Sequence, residues 1–463
     1  MNERGPSRQD DFLEVVEEEL EQATGSRDSW RVDPASDAIG TWIYVDKDRA
    51  LIPDKGWKLH ISATPWSASE VLDRTLPILF SEDACFKFAA SIEVLASINE
   101  GEGGLGQIGK FMTIYPNSDA QAVQLAARIH EATEGLGGPE VLTDEPLVPG
   151  SLVHYRFGEF IGELDALPDE GERFPTDGVI PTGPPPDELV APIDPFKEAG
   201  IAIPLQKRLI GDRFLLTGTL YRSPRGSVHL AADLLEPNSR ILKRAARWGR
   251  ALPDGTDARD LLRREAELLR LLSDDPHFPT AHELIEQVDL YLVMDHIEGP
   301  TLARLVGERT KQGDAPALAE IVRVGRGIAE ALEKMHSKGL VYRDLNPENV
   351  IVVANGEPRL LDLELVSPVG STSALFAAGS PGYASPEQLE GSPVSVADDV
   401  YALGALLAFA ATGHEPSEGL RLDAVDDGLA AIIERCRAIA PSERWSSMTE
   451  VSAALSGINT ATA

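Results

Sequence analysis

At 463 residues the chain exceeds one ordinary core and predicts two or three domains. Its 43% apolar and 25% charged residues are those of a soluble globular protein, and a net charge of −33 argues against nucleic acid and an anionic membrane surface as partners. Cys85 and Cys436 lie far apart and form no metal motif, so they read as free buried thiols of a reducing, cytoplasmic compartment; the polar start, Met1 to Asp11, carries no signal pattern.

Residues Asp11 to Ala23 predict a very acidic helix with Phe12, Leu13, Val16 and Leu20 on one face. From Trp30 to about Phe160 strands and helices alternate. Trp57 to Ser62 and Lys110 to Tyr115 have strand character. Ser67 to Phe80 and Ser118 to Leu136 have helical spacing, each opening near a serine cap and the second ending at Gly137-Gly138. This predicts an α+β domain over residues 1–164. Residues 165–203, including Pro184-Pro185-Pro186, read as a Pro- and Gly-rich linker. In a second domain, 204–458, β-forming runs come first: Phe214 to Leu220, Ser227 to Ala232 and Arg240-Ile241-Leu242-Lys243. An amphipathic helix with Leu261, Leu262, Leu268, Leu269 and Leu272 follows, then a strand at Leu290 to Met294 and mainly helical text, and 459–463 form a tail. The longest apolar run, Val400 to Thr412, is too short to cross a bilayer and suits a buried helix.

The chemistry of the second domain centres on Val341-Tyr342-Arg343-Asp344-Leu345-Asn346-Pro347-Glu348-Asn349-Val350, followed by Leu361-Asp362-Leu363-Glu364. An Asp and an Asn five positions apart on a tight loop can place a carboxylate at an attacking hydroxyl and an amide at a metal ion. A second Asp on the next strand reaches the same metal. Phosphoryl transfer needs this, because positioning and charge neutralisation are most of what a protein supplies to it. The stretch resembles the catalytic loop and metal-binding motif of the protein-kinase fold. The resemblance implies a bilobal domain using ATP or GTP, with Asp344 orienting the hydroxyl and Asn349 and Asp362 holding Mg²⁺ through oxygen. It implies Lys243 on the nucleotide phosphates, Glu265 holding that lysine, and Gly226, Val228, Asp295 and Ile297 bounding the nucleotide. Ser385-Pro386-Glu387 resembles the end of an activation segment, Asp399 the buried Asp of the next helix, and Arg444 is placed to pair with Glu387. There are departures. Seven residues separate Gly218 from Gly226, so the Gly-rich loop is irregular; Asn346 replaces the usual lysine, Tyr342 the usual His, and Leu363-Glu364 the usual Phe-Gly.

Only five lysines lie between Val45 and Phe160, and three sit in compact motifs: Lys58-Leu59-His60, Phe86-Lys87-Phe88 and Gly109-Lys110-Phe111. Lys-x-His on a strand puts both side chains on one face. A cationic face in so anionic a chain suits a phosphate. These motifs, with Gly56-Trp57 before the first, Met112-Thr113-Ile114-Tyr115-Pro116 after the third, Gly137-Gly138-Pro139 and His154-Tyr155-Arg156-Phe157-Gly158, resemble the N-terminal lyase domain of class III and class IV lanthipeptide synthetases. They resemble more distantly the phosphothreonine lyases of bacterial effectors. The kinase half is similar as well, through Asp362-Leu363-Glu364.

The resemblance implies a peptide dehydratase in two steps. The kinase phosphorylates Ser or Thr of a leader-core precursor peptide, and the lyase eliminates phosphate to leave dehydroalanine or dehydrobutyrine. By family position Lys87 is the base, His60 the acid toward the leaving oxygen, and Lys58, Lys110, Arg156 and Tyr115 bind phosphate. Full-length relatives carry a third, cyclase domain, with zinc in class IV; two cysteines cannot build that site, so no zinc is expected and ring closure would fall to a separate cyclase or lie beyond this sequence. Two alternatives stay open: a Ser/Thr kinase whose N-terminal domain only binds phosphopeptide, and a pseudokinase scaffold.

Overall fold

The computed structural model describes residues 12–24, 30–36, 40–47, 52–104, 106–160, 193–202, 209–249, 256–313, 317–372, 379–419 and 421–460. Most of the expected linker, and Ser373 of the Ser371-Thr372-Ser373 run, lie outside them. The chain divides into two compact units, one of residues 1–261 with 284–291 and one of 262–283 with 292–463.

In the first unit α1 (Phe12–Thr24) buries Phe12, Val16 and Leu20, the stripe expected of the acidic helix. Seven strands follow: β1 (Arg31–Ser36), β2 (Thr41–Asp46), β3 (Lys55–Ile61), β4 (Cys85–Ala89), β5 (Met112–Tyr115), β6 (Glu145–Pro146) and β7 (Val153–Glu159). They form one antiparallel sheet in the order β1-β2-β4-β5-β3-β7-β6. Between them run α2 (Ala68–Ser81), α3 (Ile92–Glu100) and α4 (Asp119–Ala132). Because side chains alternate along a strand, the sheet has two chemically different faces. Ile43, Val45, Leu59, Ile61, Phe86, Phe88, Met112 and Ile114 share one face and are all buried. There Phe86 meets Phe80 of α2 with ring centroids 5.9 Å apart. The opposite face carries the cationic motifs.

Two helix ends differ from expectation. Ser118 caps α4 by accepting from the Gln121 amide, but α4 stops at Ala132 and the chain turns at Gly135, with φ 85°. Ser67 makes no cap bond; its hydroxyl donates instead to the Gly137 carbonyl at 2.5 Å and ties the start of α2 to the Gly-Gly-Pro segment after α4. Gly138 is fixed by contact: a Cβ there would lie 2.5 Å from the Ser62 hydroxyl.

The end of the expected linker holds a one-turn helix, α5 (Pro195–Glu198), capped by Asp194. Its Phe196 has no solvent exposure and packs on Tyr155 at 4.2 Å and Trp57 at 5.5 Å. Next, β8 (Phe214–Ser223), β9 (Gly226–Asp233) and β10 (Ser239–Ala245) form an antiparallel meander. With β11 (Ala281–Glu286) and β12 (Leu290–Asp295), which enter this unit through residues 284–291, the sheet order is β11-β12-β10-β9-β8.

The second unit starts within α6 (Ala258–Leu271) and is mainly helical. It contains α7 (Leu302–Gln312), α8 (Leu318–Ser337), the short strands β13 (Leu340–Val341), β14 (Val350–Val352), β15 (Pro358–Leu360) and β16 (Ser367–Pro368), then α9 (Pro386–Leu389), α10 (Val396–Thr412), α11 (Asp427–Cys436) and α12 (Met448–Ser456). The apolar run expected as a buried helix is α10, buried continuously from Ala402 to Ala410. Among the described residues no helix is long and apolar enough to cross a membrane. Both cysteines are buried and neither is in a disulfide.

Candidate active sites

Register assembles the first site. Tyr44 on β2 pairs with Lys87 on β4, Lys87 with Thr113 on β5, Thr113 with His60 on β3, and His60 with His154 on β7. Directly paired residues point to the same face, so these five make one row across the sheet. Two positions along, Lys58 pairs with Arg156, and Tyr115 joins the same face. The Lys58 ammonium lies 6.0 Å from the Tyr115 ring and 5.9 Å from the Phe160 ring. Lys58, His60 and Lys110 are at most 3% exposed. Burying that much cationic character is unfavourable without counter-charge.

Asp144 supplies the counter-charge. Its carboxylate has no solvent exposure and accepts from His60 Nδ1 at 2.5 Å, with Lys110 Nζ and Arg156 Nε each 3.9 Å from its other oxygen. Burial pushes His60 down to about 4, against the pull of Asp144, so its ring is neutral near pH 7 with Nδ1 carrying the proton. Asp144 is itself held well below the ordinary carboxylate range: burial works against ionisation, and the His60 hydrogen bond with the charges of Lys110 and Arg156 overcomes it. The turn carrying Asp144 is fixed by His154, whose Nε2 accepts from the Val141 amide at 3.4 Å and whose Nδ1 donates to the Leu152 carbonyl at 3.2 Å. Sequence reasoning missed Asp144. Among 75 acidic residues no motif singles it out, and the one available signal was that a buried cationic pocket requires an anion.

Lys87 stands in the same row but apart from the Asp144 cluster. Two strand spacings separate β4 from β3, roughly 10 Å. Lys87 lies over the Trp42 ring at 4.8 Å and the Tyr44 ring at 5.5 Å. An amine and an imidazole thus stand on either side of Thr113 on one sheet face, with the Lys58–Arg156 pair alongside.

The second site is built on the loop after β13. Asp399, buried at the start of α10, accepts from the Tyr342 amide at 2.8 Å and the Arg343 amide at 2.7 Å. This holds Arg343 at φ 69°, and Asp362 is at φ 52°; among described residues these are the second unit's non-glycine positions with left-handed backbone, and both adjoin the same loop. Asp344 accepts from Asn349 Nδ2 at 2.9 Å, Asn346 Nδ2 at 3.2 Å and Ser380 Oγ at 2.9 Å. Burial, then the nearby Asp362 charge, raises the Asp344 carboxyl despite these donors. The Leu361 amide donates to the Asn349 carbonyl at 2.9 Å, which brings Asn349 and Asp362 to one place. Two mutually repelling carboxylates beside an amide oxygen suit a hard divalent cation such as Mg²⁺. Glu265, 3% exposed on α6, accepts from the Leu363 amide at 3.4 Å. Arg444 pairs with Glu387 through both terminal guanidinium nitrogens, as expected. Asp295 accepts from His282 Nε2 at 2.7 Å, and Ile297 follows it, half-buried.

The remaining expected nucleotide residues lie in the first unit. Lys243 on β10 pairs in register with Val228 on β9. The irregular Gly-rich segment is a tight hairpin between β8 and β9, with Gly218 at a bulge. Gly226 is required there, because a Cβ would lie 1.8 Å from the Arg244 carbonyl oxygen.

Known proteins share both halves. The family profile described as "RamC, N-terminal domain" matches residues 21–177, and that described as "Protein kinase domain" matches residues 251–458. A probable SapB synthase of Streptomyces coelicolor is 30% identical over 393 residues, covering 79% of this chain and 40% of that protein. The serine/threonine-protein kinase AfsK of the same organism is 39% identical over 165 residues, covering 32% of this chain and 20% of its own length. The serine/threonine-protein kinase PknL of Mycobacterium tuberculosis is 30% identical over 252 residues, covering 53% of this chain and 59% of its own. The chain thus spans less than two thirds of each. In order, its two halves match a RamC N-terminal domain and a protein kinase domain.

Proposed function

We propose that the chain is a peptide dehydratase of the lanthipeptide type, which phosphorylates Ser or Thr of a precursor peptide and then eliminates the phosphate. The observation that carries this reading is the buried Asp144 that holds His60, Lys110 and Arg156 together, with Lys58 and Lys87 on the same sheet face as His60.

In the kinase step Asp344, held by Asn349 and Ser380, orients the substrate hydroxyl and receives its proton, while the oxygen takes the γ-phosphoryl group of ATP or GTP and the nucleoside diphosphate leaves. Lys243, with Gly226, Val228, Asp295 and Ile297, serves the nucleotide, and Glu265 supports the lysine. Asn349 and Asp362 would hold Mg²⁺, which neutralises phosphate charge when bound.

In the lyase step neutral Lys87 removes the α-proton, the electron pair forms the carbon–carbon double bond, and the Cβ–oxygen bond breaks to release phosphate. Lys58, Lys110, Arg156 and Tyr115 hold the phosphate, and His60 supplies a proton to the departing oxygen. Burial keeps His60 neutral near pH 7; an arriving phosphate adds negative charge beside it and favours its protonation. The substrate peptide and a cytoplasmic setting belong to the same reading.

The test is to incubate the full chain with a candidate precursor, Mg²⁺ and nucleotide and to weigh the peptide. Net loss of water supports the dehydratase. A stable phosphopeptide would leave a kinase with a phosphate-binding domain, and an unchanged mass a scaffold.

A further inference from the structure

The environment of Lys87 has no part in the function derived so far. Lys87 is half-buried on β4, two strands from His60 and Lys58 on β3 and three from Arg156 on β7. Two aromatic faces from the neighbouring strand lie against its ammonium. The Trp42 ring lies 4.8 Å from Nζ and the Tyr44 ring 5.5 Å. The register explains both contacts. Tyr44 is the direct partner of Lys87, and Trp42 pairs with Ala89, two residues along and on the same face. Trp42 is 2% exposed, so its ring is fixed by packing, whereas Tyr44 is half-buried.

Aromatic faces are electron-rich and attract a cation more strongly where water is excluded. A lysine acting as base begins neutral and gains a full positive charge as it takes the α-proton. Groups aimed at the place where charge develops stabilise the transition state. We propose that Trp42 and Tyr44 form an aromatic clamp that positions the Lys87 amine and stabilises the charge it acquires during elimination. They are positioning residues, acting through Lys87. The proposal rests on the lyase reading of Lys87.

The clamp sets two opposed demands. It favours the ammonium form, so it raises the pH at which Lys87 becomes available as a base, and it makes the neutral amine a better proton acceptor once available. Removing a face should therefore move the Lys87 titration down and lower the limiting rate together. A residue that merely supported the fold would not produce this pairing.

The experiment is ¹³C NMR titration of the full chain carrying ¹³Cε-lysine. The sequence has eleven lysines, few enough for Lys87→Arg to identify the Lys87 signal by its loss. Tyr44→Leu and Trp42→Leu should each lower the Lys87 midpoint by roughly half a unit to one and a half units. Tyr44→Phe, which keeps the ring, should leave the midpoint in place. Trp42→Leu risks unfolding because the indole is buried; half-buried Tyr44 keeps the test decisive. Unchanged midpoints in a folded Tyr44→Leu variant overturn the clamp. A separate measurement addresses the underlying reading: if Lys87→Ala still converts phosphopeptide to dehydrated product, Lys87 is not the base, whatever its titration shows.

Discussion

His60 Nδ1 donates to Asp144 across 2.5 Å with neither side chain in appreciable contact with solvent. A neutral imidazole has one N–H and one lone pair, and this bond assigns the proton to Nδ1 and leaves Nε2 as the atom able to face a substrate. Asp144 thus sets the tautomer of His60 as well as balancing the cations around it. Asp144→Asn removes that charge and offers an amide that can donate where the carboxylate accepts. Elimination should fall by about 10²-fold or more, the scale of a lost acid–base function. Phosphorylation in the other unit should persist, so the checked outcome is phosphopeptide accumulating in the mass spectrum.

The same pair predicts how the first unit responds to acid. In the unfolded chain a histidine titrates near 6.5, whereas in the fold His60 is held at about 4. Between those values the unfolded chain binds the extra proton and the folded chain does not. Stability from this group is therefore full above about 6.5 and is lost as the pH falls toward 4, by up to about 3 kcal/mol. Asp144, also depressed, adds its own loss only below the ordinary aspartate range. Thermal unfolding at pH 7 and pH 5 should show the drop in the wild type and a smaller one in His60→Gln.

The cationic face was legible in the sequence because a strand of alternating period places Lys58 and His60 together without any tertiary knowledge. The pairing of β4 with β2 was not, since strand order is a long-range property and the run holding Trp42 and Tyr44 carries no signal of which strand it will join. The same holds for Asp144 and for Ser380, which reach their sites from irregular segments. α10 was legible, because an apolar run of that length has no stable place except a core. Ser67 misled, because a serine at a helix start looks like a cap while its hydroxyl is committed to Gly137.

Asn346 stands where related kinases carry a cation, and its amide takes up a different task. Its Nδ2 reaches the Asp344 carboxylate at 3.2 Å and the Ser380 hydroxyl at 3.0 Å, joining loop and activation segment. Hydrogen bonds to a charged group contribute about 1.5–3 kcal/mol. Asn346→Ala should therefore slow peptide phosphorylation roughly 10- to 100-fold, and Asp344→Asn should slow it by about 10²- to 10⁴-fold. Single-turnover phosphorylation followed by mass spectrometry measures both. An Asn346→Ala variant as fast as wild type would show that the amide does not hold Asp344 in its working position.

The Glu387–Arg444 pair predicts a stability effect without a direct chemical one. The Arg444 side chain has no solvent exposure and that of Glu387 only 17%. The guanidinium also donates to the carbonyls of Ala397, Ala438 and Ile439, so it joins α9 and α10 to the segment before α12. Removing the glutamate leaves a buried charge with those carbonyls alone, and breaking such a pair costs about 3–5 kcal/mol. Glu387→Ala should lower the unfolding temperature of the second unit by several degrees while the first unit's transition stays in place, as calorimetry would resolve. Replacing both partners by apolar residues of similar volume should recover part of the loss, because the penalty lies in the unpaired charge more than in the missing attraction. A double variant as unstable as Glu387→Ala would place the loss in the carbonyl contacts of Arg444 instead.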